Sequence, residues 1–214
     1  MEVFHTDRIS ESDFNTILAV LRRGGVIGFP TDTAYGLGAD PFNEFAIQRL
    51  FEIKQREETK PILLLVDSIA MTESISRPPA MFYRLAERFW PGSLSLILPA
   101  TPSLSAKLTA GTGTIGLRWP EANFATSLVT RFERPVTATS ANRSTMASAV
   151  TCDEVRSQLG TSLDVLIDGG VLPARSGSTL LDLVSDPPVL LREGPVSFEC
   201  LSEFFGGNIR RQVA

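Results

Sequence analysis

The sequence predicts one α/β domain built on a twisted mixed sheet with flanking helices. Three observations carry that prediction. Apolar stripes at helical spacing alternate with short unbroken apolar runs along the chain. No repeat, low-complexity tract or linker divides the 214 residues. Polar clusters follow the apolar runs, at the strand ends where α/β sheets carry their ligand loops.

The elements follow in order. Phe14, Ile17, Leu18 and Leu21 repeat at i, i+3, i+4 and i+7, with Ser12 as the expected N-cap and Gly24-Gly25 as the stop. A strand over 26–29 comes next. Asn43 caps a helix that buries Ile47, Leu50 and Phe51 and ends near Lys54. Residues 62–66 are continuously apolar, the pattern of a strand covered on both faces. Phe82, Leu85, Ala86 and Phe89 form another helical stripe, closed by Pro91-Gly92. Strands are expected over 94–98, 114–118, 136–139 and 165–167, with a helix marked by Phe124, Ala125, Leu128 and Val129. Thr151 and Glu154 match the S/T-x-x-E capping box, so a helix starts there. Runs at 180–184 and 189–191 read as a late strand pair around the turn 185–188. A terminal helix is expected over 197–205. The domain is read as 1–206 and residues 207–214 as a flexible tail.

Composition sets the outer limits. Hydrophobic residues make up 43% and charged residues 21% of the chain, an ordinary globular balance. No apolar run approaches the ~18 residues of a membrane span, so no membrane contact is expected. Residues 1–8 lack the basic and apolar parts of a secretory leader. Cys152 and Cys200 form neither a CxxC pair nor a disulfide framework, so a reducing cytoplasm is the expected location. A net charge of -4 excludes a wholly basic nucleic-acid surface while leaving room for a local basic cleft. The single histidine, His5, stands near the terminus, which argues against Ser-His or Cys-His nucleophiles and histidine-rich zinc sites. Chemistry in such a chain rests on positioning and electrostatics from guanidinium, ammonium, hydroxyl and backbone N–H groups.

Five polar clusters are candidates for that work. Residues 30–38 place two hydroxyls, a carboxylate and a phenol directly after an apolar run, beside a flexible glycine pair. Lys54, Arg56 and Lys60 are either a solvated helix end or a grip for a triphosphate. Residues 137–144 gather hydroxyls and an amide, as in a capped turn or an acceptor site for a carboxylate or amine. Arg118 closes a predicted strand and calls for an anionic partner if buried. Ser178-Thr179 and Arg192 repeat the pattern of hydroxyl or cation at a strand boundary. Residues 111–116 match GxGxxG, but a short strand ended by Pro120 follows rather than a helix. The dinucleotide reading fails there, which leaves a glycine-rich connection.

Taken in order, PTDTAYGLG (30–38), KQR (54–56), KP (60–61), PGSLSLIL (91–98), TIGLRWP (114–120), TSANRS (139–144), DGG (168–170), STLLD (178–182) and LREG (191–194) resemble the YrdC/Sua5 (TsaC-type) threonylcarbamoyl-AMP synthase family. The resemblance covers residues 12–196, and its specificity lies in the ordered sum. It implies a single YrdC-like domain with a central ligand cleft. It also implies an adenylyl transfer in which L-threonine condenses with bicarbonate and the carbamate attacks the α-phosphate of ATP, releasing pyrophosphate. By resemblance Thr33, Arg118, Ser140 and Ser178 hold threonine. Arg56, Lys60, Ser148 and Arg192 hold ATP, with Thr114 and Ala138 contributing through their backbones. Asp32, Tyr35, Lys54 and Asn142 support the cleft. No protein nucleophile, protein metal site or tightly bound cofactor is expected, and Mg²⁺ arrives with ATP. The implied partners are L-threonine, bicarbonate, ATP and a t6A-transferring protein complex acting on adenosine 37 of tRNA, with a further contact to tRNA or double-stranded RNA.

The chain departs from the family pattern at four places. Leu65 stands where Sua5-type members often carry histidine, and Glu57 replaces the proline after K-x-R. Thr145 replaces the glycine of SANxSG, and Gly177 stands in place of a common glutamate. No C-terminal Sua5 domain is expected. These departures motivate one alternative, a member acting on another carbamate. Lys54, Arg56, Lys60 and Arg118 motivate a second, a non-catalytic RNA-binding module.

Overall fold

The computed structural model describes residues 1–55, 61–144, 146–173 and 177–212. Its strands form two hydrogen-bonded sheets rather than the one that the sequence led us to expect. The first has the order β1 (Glu2–His5), β9 (Val165–Asp168), β2 (Ile27–Pro30), β3 (Tyr35–Gly38), β8 (Thr139–Ser140). The second has the order β12 (Arg210–Arg211), β11 (Val189–Arg192), β10 (Thr179–Asp182), β5 (Leu94–Pro99), β6 (Thr114–Arg118), β4 (Leu64–Leu65), β7 (Val136–Thr137). Parallel and antiparallel pairings occur in both, so the mixed character is as predicted.

Helix α1 (Glu11–Arg22) starts earlier than expected. Its N-cap is Ser10, not Ser12: the Ser10 hydroxyl accepts from Asp13 N at 3.2 Å while the Asp13 carboxylate accepts from Ser10 N at 2.9 Å. Only Ser10 places an acidic residue three positions on, and that reciprocity decides the start. The helix buries Phe14, Ile17, Leu18, Val20 and Leu21 against β2, β9 and α6 (Phe124–Phe132). Helix α7 (Cys152–Leu159) begins with the capping box read from the sequence, Thr151 with Glu154. The remaining helices are α2 (Glu44–Lys54), α3 (Ile69–Ile75), α4 (Ala80–Phe89), α5 (Ala106–Thr109) and α8 (Phe198–Phe204). Phe51 and Phe82 carry two of them onto a larger core shared with the second sheet.

Three local expectations change. Residues 35–38, for which the sequence predicts a flexible glycine pair at a strand end, form β3 and pair antiparallel with β2. Gly36 and Gly38 are close-packed rather than flexible. A Cβ on Gly38 would lie 3.0 Å from Ile27 Cγ1 and from the Phe29 ring, so the missing side chain is what lets that ring lie across the strand. The apolar run 62–66 contributes only the two-residue strand β4. The segment after Gly206 is not a frayed tail throughout: Arg210–Arg211 pairs parallel with β11, and Arg211 lies 4.3 Å from the Phe198 ring and pairs with Glu193 and Glu199.

The two sheets meet where the chain passes from β7 to β8 across Ala138. Thr137 fixes this crossing: its hydroxyl donates to Leu37 O at 3.1 Å and accepts from Ala39 N at 2.9 Å, and its N–H donates to Ala39 O. Ala138 N donates to Leu63 O at 2.8 Å. Removing this buried hydroxyl leaves an N–H and a carbonyl unsatisfied, at a cost of about 1–3 kcal/mol. Thr137→Val is therefore expected to lower the unfolding free energy by about that amount, and Thr137→Ser by less. Urea midpoints of the three proteins check it, and equal stability of Thr137→Val and wild type refutes the seam.

Candidate active site

A cavity of about 600 Å³ opens between the sheets and is lined from both. The first sheet contributes the 31–36 hairpin turn, Thr139 and Ser140. The second contributes Ile97, Thr114, Gly116, Arg118, Leu180, Leu191 and Arg192, and the crossing contributes Ala138. The turn is shaped by Thr31, whose hydroxyl donates to Ala34 O at 2.7 Å and lies 3.2 Å from the Thr33 hydroxyl.

Charge in the cleft is unbalanced. Arg118 is 5% exposed; its Nε donates to Gly92 O at 2.9 Å and its Nη2 to the Asp32 carboxylate. Arg192 enters from β11, with Nε donating to Ser178 O at 3.0 Å and Nη2 to the Ser178 hydroxyl at 3.3 Å. That hydroxyl lies 2.7 Å from the buried Ser95 hydroxyl. Burial first, and the neighbouring Arg118 cation second, push the Arg192 pKa below the ordinary guanidinium value. Asp32 is the one acidic residue among the described residues of the wall. Two guanidiniums beside one carboxylate make a site for anions of carboxylate or phosphate geometry.

The cavity brings together ten of the fourteen residues singled out from the sequence: Asp32, Thr33, Tyr35, Thr114, Arg118, Ala138, Ser140, Ser148, Ser178 and Arg192. Arg56 and Lys60 lie outside the described residues, as do Glu57 and Thr145. Lys54 and Asn142 support the cleft from behind and do not line it. Lys54, at the end of α2 and 2% exposed, donates to the carbonyls of Ser140 and, at 2.9 Å, Asn142. Asn142 donates from Nδ2 to Arg143 O and Met146 O. Both hold the chain that leaves β8. Burial of Lys54 and Arg118 in internal bonds also removes two of the four cations offered for an RNA-binding surface.

Tyr35 lines the cavity and is fully buried, with its hydroxyl bonded to the 168–170 segment. The hydroxyl accepts from Gly169 N at 2.9 Å and faces Gly170 O at 2.9 Å and Asp168 Oδ1 at 3.3 Å. Asp168 also accepts from Gly170 N and lies 3.6 Å from His5 Nδ1, and His5 does not line the cavity. Residues 111–113 form the connection from α5 to β6, with positive φ at both glycines and Gly111 N donating to Ala106 O. That is a helix cap and turn, consistent with rejection of the dinucleotide motif.

Leu63, Leu65, Ile97, Leu180 and Leu191, which line the cleft, and Ser95, buried behind Ser178, were not singled out from the residues themselves. One signal was present. In β5, Leu94, Leu96 and Leu98 point into the core while Ser95 and Ile97 alternate with them. A serine on the opposite face of a buried strand marks that face as adjoining something polar. Among the described residues no group of three His, Cys, Asp or Glu side chains is placed to hold a metal ion, and no helix is long and apolar enough to cross a membrane.

A family model named Sua5/yciO/yrdC, described as telomere recombination, matches residues 19–194. A threonylcarbamoyl-AMP synthase of Pyrococcus abyssi is 35% identical over 201 residues, covering 94% of this chain and 59% of the relative. One of Bacillus subtilis is 36% identical over 205 residues, with the same coverage of 94% and 59%. The chain thus spans about three-fifths of the length of these relatives. The crystal structure of P. abyssi Sua5 complexed with L-threonine superposes with a TM-score of 0.93 at 33% identity, covering 99% of this chain and 63% of that one.

Tyr35 yields a pH prediction. Burial, aided by the Asp168 carboxylate, pushes its phenol up to about 12 from the usual 10. A raised acid favours the protonated fold, so its contribution to stability is full below pH 10 and is lost as pH rises from 10 towards 12. Tyr35→Phe leaves Gly169 N without its acceptor and is expected to be less stable at pH 8. The difference from wild type should narrow between pH 10 and 12. Denaturant titrations across pH 8–12 check this, and a constant difference refutes it.

Proposed function

The chain belongs to the Sua5/YciO/YrdC family, and on that premise we propose that its cleft makes threonylcarbamoyl-AMP from L-threonine, bicarbonate and Mg·ATP, releasing pyrophosphate. The observation that carries the reading is the placement of Arg118, Ser178 and Arg192 in one cavity with a single acidic side chain among its described lining residues. An amino-acid carboxylate and a triphosphate are the two anions such a site can hold side by side.

In the proposed reaction the threonine ammonium first gives up a proton to solvent; the free amine then attacks the bicarbonate carbon, forming the C–N bond of a carbamate as water leaves. A carbamate oxygen then attacks the α-phosphorus of ATP, and the bond to the bridging oxygen breaks as pyrophosphate departs. Neither step needs a protein nucleophile; alignment and charge stabilisation suffice. Arg118 takes the amino-acid carboxylate, with Thr33, Ser140 and Ser178 offering hydroxyls around it. Arg192, Ser148 and the backbone at Thr114 face the nucleotide, joined by Arg56 and Lys60. Ala138 N is already bonded to Leu63 O, so a backbone contact from Ala138 runs through its carbonyl. Mg²⁺ enters as part of the nucleotide substrate, retaining waters. The product is a mixed anhydride, which calls for direct transfer to a t6A-forming protein complex and its tRNA, in the cytoplasm where ATP and tRNA meet.

Leu65 favours a second reading. It lines the cavity with an aliphatic wall in place of the histidine expected from the family pattern, so a different amino acid can be the one carbamoylated. Pyrophosphate release from Mg·ATP and bicarbonate, measured with a panel of amino acids, separates the two. Strict threonine dependence supports the first reading, another preferred amino acid the second, and amino-acid-independent or absent release refutes both. Arg118→Ala is expected to raise the KM for threonine about tenfold or more while changing that for ATP less than about threefold. Arg56→Ala is expected to do the reverse, and equal effects on both substrates contradict the assignment.

A further inference from the structure

The two oxygens of Asp32 are treated unequally. Oδ2 accepts from Arg118 Nη2 and lies 3.5 Å from the Ser93 hydroxyl. Oδ1 is buried and has no hydrogen-bond partner. An ionised carboxylate offers about four acceptor positions, and an enclosed one without donors is costly. Arg118 is also incompletely engaged. Nε and Nη2 have partners, whereas Nη1 has none among the described residues. A cation and an anion therefore touch at the cavity wall, each with bonding capacity left over.

That pairing matches one ligand chemistry. An α-amino acid carries a carboxylate and an ammonium one carbon apart, so both reach a touching guanidinium and carboxylate together. We propose that Asp32 recognises the α-ammonium group of the amino acid whose carboxylate Arg118 takes, so that the pair selects a zwitterion; this rests on the amino-acid reading of the cleft given above. The terminal torsion of an aspartate is broad, so either oxygen can turn to the ligand while the other keeps Arg118. Thr33, Ser140 and Ser178 offer neutral hydroxyls, which do not distinguish an ammonium from another donor. Only a charged partner does so strongly. The ion pair then has two roles: it holds Arg118 in place before binding, and it reads the second charge of the substrate.

The test measures binding by titration calorimetry with two probes, L-threonine and (3R)-3-hydroxybutanoate, which is the same molecule without its amine. Wild type is expected to bind threonine about tenfold or more tightly than the hydroxy acid, the scale of one charge-assisted hydrogen bond. Asp32→Asn should lose about tenfold or more for threonine while holding the hydroxy acid within about threefold. Parallel loss for both probes would mean that Asp32 merely holds Arg118, and it overturns the proposal. Unchanged threonine binding also overturns it. Should Asp32→Asn fail to fold, the wild-type comparison decides alone: equal affinity for the two probes refutes ammonium recognition. If wild type binds another α-amino acid in place of threonine with the same dependence on Asp32, the proposal stands and the threonine reading falls. If it binds no α-amino acid, both fall.

Discussion

The cleft depends on a crossing three residues long. The chain leaves the second sheet at Thr137 and joins the first at Thr139, with Ala138 between them on the cavity wall. The Thr137 hydroxyl bonds to Leu37 O and Ala39 N, at the end of β3. Sliding the sheets apart breaks these bonds in a dry interior, where each unsatisfied group costs about 1–3 kcal/mol. The gap between the sheets is therefore set by backbone geometry. Side chains from 31–36 on one side and from β6, β10 and β11 on the other face each other across it.

That arrangement explains a charge distribution that looks contradictory at first. The chain as a whole carries -4, yet the described wall of its cleft holds two guanidiniums and one carboxylate. Overall charge governs solubility and non-specific partners, while a cleft with low-dielectric walls has a local field of its own. An acidic exterior disfavours polyanions at large, and the cationic recess admits small anions that fit inside. The same division makes a small-anion substrate a better match than a polynucleotide laid over the surface. Lys54 and Arg118, which in the sequence look free to bind phosphates, are committed to Ser140 O and Asn142 O in one case and to Gly92 O and Asp32 in the other.

Much of this was legible in the sequence, and the failures have physical causes. Helices announced themselves because apolar spacing and caps are local signals: Asn43 caps α2 and Thr151 caps α7 as read. The Ser10 cap was missed because Ser12 is also a good capping residue, and only the reciprocal bond from Asp13 decides between them. Strand β3 is not predicted because Gly36 and Gly38 look flexible in isolation. Phe29, nine residues before Gly38, leaves little room for a side chain there, and its ring also packs against Gly36. Of the ten site residues in the cavity, those such as Thr33, Arg118, Ser140, Ser178 and Arg192 lie in polar clusters visible at strand ends without the topology, whereas Thr114, Ala138 and Ser148 came only from the family resemblance. The division into two sheets was not visible, since it rests on pairings such as β3 with β8 over a hundred residues apart. Lys54 carried a misleading signal: a cation at a helix end is normally solvated, and nothing nearby in sequence shows the carbonyls of Ser140 and Asn142 arriving to meet it.

The Asp32–Arg118 pair is better explained by geometry than by stability. Taking both charges out of water costs several kcal/mol per ion, and their mutual attraction recovers that only with good geometry and further hydrogen bonds. Here the further bonds are few: Gly92 O for Arg118, and for Asp32 a 3.5 Å approach of the Ser93 hydroxyl. An aliphatic pair of similar volume would be a sounder stabilising choice at this position. What an aliphatic pair lacks is a planar fork fixed at two points before any ligand arrives. Arg118 is long, and free in solution it would lose ~2 kcal/mol of rotamer freedom on being ordered by a ligand. Anchoring through Gly92 and Asp32 places that loss in folding instead of binding, which leaves the interaction with an incoming carboxylate undiminished. A buried pair of marginal benefit to the fold is what a site built for orientation requires.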